Sequence, residues 1–221
     1  MSRSFASSSV GTKVLIGVTG LLLFAYLSLH LVGNLLIFLG QDTFNAYSHM
    51  LISNPLVVPV EIGLLLVAIV HVWKTVRMYL QNQQARPIGY AVKKWAGHAS
   101  RKSVGSSTMI VSGLITVALV IIHLQQFKFG AYYETTGAAP VRDLYRLEVE
   151  VFSNPIWVAV YVAWMAFIFL HLRHGISSAF QSLGASEDFG KRTLRVGLVV
   201  AAVMGVGFAI IPVLIYFVSR T

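Results

Sequence analysis

Five long apolar runs, separated by polar connections marked with Gly and Pro, dominate the chain. Each exceeds the roughly 20 residues an α-helix needs to cross a bilayer. The pattern predicts helix I over about Lys13 to Gly40, helix II over Leu56 to Leu80 and helix III over Ser103 to Phe129. Helix IV follows over Pro155 to Leu183 and helix V over Lys191 to Val218. Asn54-Pro55 and Asn154-Pro155 read as turns opening helices II and IV, because proline fits the first helical turn. Gly130 and Gly184 read as stops. No repeat of roughly 20–50 residues stands out, although Ser-Asn-Pro precedes both II and IV. Residues 1–12 are polar and Ser-rich. The run after them is too long for a signal-peptide core and lacks an A-x-A exit, so helix I is expected to be retained.

Composition agrees with a bilayer setting. The 221 residues are 56% hydrophobic and 11% charged, with a mean hydropathy of +0.73. Soluble domains carry roughly 25% charged residues. The expected fold is an all-α integral membrane protein, a single domain over residues 1–221. With no cysteine, disulfides, iron–sulfur clusters on this chain, thiolate zinc sites and thioether-linked haem are excluded.

The net charge of +9 reports topology rather than nucleic-acid binding. Lys74, Arg77, Arg86, Lys93, Lys94, Arg101 and Lys102 gather between helices II and III, and Arg173, Lys191, Arg192 and Arg195 between IV and V. Arg3 and Lys13 precede helix I, whereas the I–II connection has neither Lys nor Arg. The III–IV connection is balanced by Glu134, Asp143, Glu148 and Glu150. The positive-inside rule then sets the N-terminus in the cytoplasm and, with five helices, the C-terminus outside.

Four histidines occupy helices I to IV, one each: His30, His71, His123 and His171. Ionisable groups inside a membrane mark functional sites by default. At about 1.5 Å per residue, His30 and His123 lie about 26–30 Å from the cytoplasmic side, and His71 about 9 Å from it. His171 is close above Arg173. The expectation is a distal pair, His30 with His123, and a proximal pair, His71 with His171. Opposed imidazoles in a bundle core suit b-type haem held without covalent linkage, and helices I–IV would then bind two stacked haems. Each histidine taken alone also fits a hydrogen-bonding role between helices. Gly20 and Gly113 each precede a histidine by ten residues, making room for a macrocycle or serving ordinary helix packing.

Other polar residues carry weaker signals. His174 shares a face with His171 and reads as a supporting or structural residue. His98 falls in the basic connection and reads as solvated. His49, in the I–II connection, either faces a quinone or is a simple loop residue. Glu61 sits at the start of helix II, where a carboxylate is electrostatically comfortable; the alternative is proton exchange during quinone chemistry near the distal haem.

The run SSSVGTKVLIGVTGLLLFAYLSLHLVGNLLIF, continued by FNAYSHMLISNPLVVPVEIGLLL and IVHVWKTVRMYLQNQQARPIGY, resembles the cytochrome b subunit of succinate dehydrogenase and fumarate reductase, of the five-helix dihaem b558 type. DLYRLEVEVFSNPIWVAVYV, FLHLRHGISSAFQSLG and GFAIIPV extend the likeness over nearly the whole chain. The resemblance implies that His30, His71, His123 and His171 ligate haem iron in I/III and II/IV pairs. It implies a bacterial inner-membrane anchor for a flavoprotein carrying FAD and an iron–sulfur protein at the cytoplasmic face, with a higher oligomer of the complex allowed. Electrons would pass between succinate or fumarate and a quinone, menaquinone favoured, with the dicarboxylate chemistry on the partner chains. Some members carry a glutamate two residues before the fourth ligand, associated with a transmembrane proton route; here that position is Phe169.

Two alternatives stand beside this expectation. One is a dihaem cytochrome b of a nitrate reductase, hydrogenase or formate dehydrogenase. The other is a haem-free transporter, which predicts matched helices broken by Gly and Pro. Helices I–IV lack such breaks.

Overall fold

The computed structural model describes residues 8–85, 104–136 and 139–220. All regular structure among them is helical. Helix α1 (Ser9–Leu35) runs into a 3-10 turn over Leu36–Leu39 and is followed by α2 (Gln41–Ile52) and α3 (Val57–Gln84). Helix α4 (Val104–His123) continues as a π-helical turn over Leu124–Lys128, followed by α5 (Leu144–Phe152), α6 (Pro155–Ser182) and α7 (Glu187–Val218). Five helices are long and apolar enough to cross a membrane, in the regions the hydrophobic pattern predicts.

Local chemistry explains the ends. Ser8 caps α1 by accepting from the Gly11 amide at 3.0 Å. Asn54 and Asn154 accept from the amides of Leu56 and Ile156 at 2.9 Å each. Asn154 caps α6 directly, whereas Asn54-Pro55 forms a turn and α3 starts after it at Val57. Gly184, at φ +89, ends α6 in a conformation that favours glycine. Helix III, expected to run unbroken to Phe129, changes to π geometry after His123. The carbonyls freed there are met by Arg142, whose Nη2 donates to Phe127 O at 2.8 Å.

Neither connection on the His30 side is a plain loop. The I–II connection is largely α2, and the III–IV connection ends in α5 after an antiparallel bridge between Glu134 and Arg142. The two short helices pack together. Asp143, 4% exposed, joins them. It accepts from Gln41 Nε2 at 2.7 Å, Asn45 Nδ2 at 2.8 Å and the Arg146 amide at 3.0 Å.

The long helices close a ring of neighbours, α1 to α3, α3 to α4, α4 to α6 and α6 back to α1. Helix α7 lies outside that ring against α6 and α1. Glycines allow its approach: a Cβ on Gly205 would stand 3.3 Å from Phe169 Cβ, and one on Gly207 2.9 Å from Leu31 Cδ2. Phe169 therefore faces α7. Helix α3 buries no residue and exposes Leu65, Leu66, Ile69 and Trp73, as a helix with one side to lipid does.

The Ser-Asn-Pro echo belongs to an internal repeat that the structure makes visible. Each half runs long helix, short helix, Ser-Asn-Pro, long helix. Ile16, Thr19, Gly20 and His30 correspond to Met109, Ser112, Gly113 and His123, every pair 93 positions apart. Pro55 and His71 correspond to Pro155 and His171, 100 positions apart.

Candidate cofactor site

His30 on α1 and His123 on α4 meet across the ring of helices. Their ring centres are 5.8 Å apart and their planes cross at 89°. An imidazole nitrogen sits about 2 Å from a metal it binds, so two rings clasping one ion have centres about 6 Å apart. Aromatic side chains surround the pair. Tyr26 stacks on His30 at 5.6 Å, while Phe127, Tyr161 and Trp164 pack on His123 at 5.0, 6.1 and 6.1 Å.

His71 and His171 occupy a second level on the other diagonal, α3 and α6, within electrostatic reach of each other. His71 meets Thr19 and His171 meets Ser112. Both contact residues lie 11 positions before the distal histidine of their own helix, so the levels are about 16 Å apart.

The hydrogen bonds assign the tautomers. Thr19 donates its hydroxyl proton to Leu15 O at 2.6 Å, so its oxygen is left to accept from His71 Nδ1 at 3.1 Å. Ser112 donates to Met109 O at 3.2 Å and accepts from His171 Nδ1 at 3.2 Å. Tyr161 donates to Gln126 Oε1 at 2.7 Å and lies 3.4 Å from His123 Nδ1. Three Nδ1 atoms thus carry protons, and the Nε2 lone pairs stay open for a metal. Gly20 and Gly113 seat the proximal rings: a Cβ there would lie 3.1 Å from His71 Cε1 and 3.2 Å from His171 Cε1. Their use is room for imidazole beside a helix backbone.

No group of three or more His, Asp or Glu side chains among the described residues forms a chelating metal site. The histidines instead offer two-point ligation from opposite sides, which suits a metal already held in a ring. Thr116 Oγ1 on α4 and Trp164 Nε1 on α6 are buried without a hydrogen-bond partner among the described residues. Thr116 falls between Ser112 and His123 on α4 and Trp164 packs on His123, and buried unmet polar atoms of this kind point to a bound group or water. The donor set and these orphaned atoms fit haem.

The remaining sequence candidates separate. Glu61 forms an ion pair with Lys128, linking α3 to the π turn, and interacts electrostatically with Tyr26, the residue stacked on His30. It therefore lies at the His30 level but half-exposed. His49 is exposed on α2. His174 is half-buried within reach of His171. His98, Arg3, Arg86, Lys93, Lys94, Arg101 and Lys102 lie outside the described residues.

Sequence reasoning missed Thr19, Ser112, Tyr161 and Glu148. The first two were signalled by the small hydroxyl-glycine steps beside Gly20 and Gly113. Glu148 was counted as loop charge, yet it is 6% exposed, on the face of α5 that buries Leu147 and Phe152. Burial alone pushes its carboxyl up to about 8. The spacing Leu144, Leu147, Val151 and Phe152 carried that signal, since position 148 falls within the stripe.

No protein-family model, curated protein or solved structure matches this chain, so its site is read from its own geometry.

Proposed function

We propose that the chain is the membrane anchor and electron-transfer subunit of a bacterial succinate:quinone oxidoreductase, of the succinate dehydrogenase/fumarate reductase kind. The observation that carries the haem reading is the pair of histidine levels on opposite diagonals, with the Nδ1 atoms of His71, His123 and His171 set against hydroxyl oxygens. His30 and His123 would hold one b haem, and His71 and His171 the other. Haem so ligated supplies one-electron transfer, its potential tuned by imidazole basicity and burial. The chain's own contribution is to fix ring orientation through Thr19, Ser112 and Tyr161, and to exclude water with the aromatic shell around His123.

The resemblance supports the rest. The inner-membrane setting has the N-terminus cytoplasmic and the C-terminus outside. The FAD flavoprotein and iron–sulfur partner dock on the basic cytoplasmic side, where opposite charge favours association. Menaquinone is the favoured quinone. Glu61, beside Tyr26 at the His30 level, is the residue best situated for proton exchange with it.

A reduced-minus-oxidised visible spectrum with pyridine haemochrome quantitation tests the reading. Two b haems per chain are expected, and colourless protein overturns it. Succinate-driven quinone reduction by the purified complex separates this assignment from a nitrate reductase, hydrogenase or formate dehydrogenase anchor.

A further inference from the structure

Glu148 is a carboxyl side chain buried where neither topology nor haem ligation requires one. It lies one helical turn before Phe152, on the same face of α5. Phe152 packs on Tyr161 with ring centres 5.1 Å apart, and Tyr161 interacts electrostatically with Glu148. The Tyr161 hydroxyl in turn bonds Gln126 and approaches His123 Nδ1. Tyr161 thus packs both on the face of α5 that carries Glu148, through Phe152, and on the distal histidine pair, through His123. Beside α5, Asp143, Arg146 and Glu150 line an open pocket of about 400 Å³ at the surface.

We infer that Glu148 is the proton acceptor coupled to reduction at the distal histidine pair, exchanging its proton with water on the α2–α5 side. The inference rests on the haem reading above. One electron arrives at the centre held by His30 and His123, supplied by the iron–sulfur partner or by a quinol. One proton from the aqueous phase would bind the Glu148 carboxylate, and would be released when a quinone or the iron–sulfur partner takes the electron away. The charge change at the centre is thereby compensated within a buried region, where an uncompensated charge is costly.

Other titratable groups around α5 are engaged or remote in effect. Tyr161 is the group facing Glu148 from α6. The π turn brings Lys128, already paired with Glu61. Helix α2 carries Asp42, Tyr47 and His49, and α7 carries Tyr216. On α5 and its cap, Asp143 is bound by Gln41 and Asn45, and Glu150 accepts from Tyr133, whose ring lies under Arg146. Burial is the cause that raises the Glu148 carboxyl.

The test is redox titration of the purified complex across about two pH units either side of 8, for wild type and Glu148→Gln. The wild-type distal midpoint should fall as pH rises and level off at both ends of the range, and the variant's should be flat. A flat wild-type midpoint, or an unchanged slope in Glu148→Gln, overturns the inference while leaving the haem reading intact. Absence of haem from the wild type defeats the haem reading instead. Should Glu148→Gln fail to assemble, the redox-induced infrared difference spectrum of the wild type decides. Recorded above about pH 8, where the carboxyl is ionised before reduction, a protonated-carboxyl band must grow on reduction, and its absence overturns the inference.

Discussion

Thr19 Oγ1 stands 3.1 Å from Nδ1 of His71, and its proton is already committed to Leu15 O. The histidine must therefore be the donor, and its other nitrogen is the one left open. Ser112 repeats the arrangement on His171. Removing such a ligand-orienting partner typically costs roughly 10–100-fold in metal affinity. On the proposed haem reading, Thr19→Val and Ser112→Ala should each lower the content of the proximal haem while sparing the distal one, as read by haem-to-protein ratio and redox titration.

If each level holds a haem, as proposed, the two levels predict separable losses. His30→Ala should remove the distal haem and leave the proximal one partly assembled, and His71→Ala should do the reverse. Pyridine haemochrome quantitation measures this. A variant still holding two haems per chain counts against the pairing.

Glu61→Gln should break the ion pair with Lys128 and slow quinone turnover without loss of haem. The pair is half-exposed, so its removal should cost at most about 1 kcal/mol of stability. Steady-state quinone reduction alongside the visible spectrum checks both halves of the expectation.

Gly33 is held to glycine by Tyr47: a Cβ there would stand 2.7 Å from the Tyr47 hydroxyl oxygen and 2.8 Å from its Cε1. Gly33→Ala should force Tyr47 off α1 and destabilise the α1–α2 corner by about 1–3 kcal/mol. Thermal unfolding in detergent should show it.

Glu148 also makes stability depend on pH. Its folded-state carboxyl titrates at about 8 instead of the ordinary 4.5. Between those values the unfolded chain has lost the proton and the folded chain retains it, so stability falls as pH rises through the window. The full loss is on the order of 3–5 kcal/mol. Glu148→Gln should flatten that slope and unfold at a higher temperature than wild type above about pH 8, as thermal melts across pH can measure.

The long spans were legible because a bilayer demands unbroken apolar length, and only a handful of boundaries moved. Helix II runs on to Gln84, helix V begins at Glu187, and helix III changes pitch after His123. The short helices α2 and α5 were not legible as spans are. With 12 and 9 residues and mixed polarity they fall below the length at which hydropathy speaks, and they are stabilised by contact with each other through Asp143 and Asn45. The histidines stood out by residue type alone. Their partners did not, because Thr19 and Ser112 acquire meaning only when another helix brings a ring to them.

The internal repeat also constrains biogenesis. Each level draws one ring from either half, so the first two spans to leave the ribosome hold one member of both pairs and a complete set of neither. Nothing can be clasped until the third and fourth spans have entered the membrane and closed the ring. Capture of the proposed haems would thereby be deferred to a late stage of synthesis, and a truncated chain would have no half-built centre in which a reactive group could lodge.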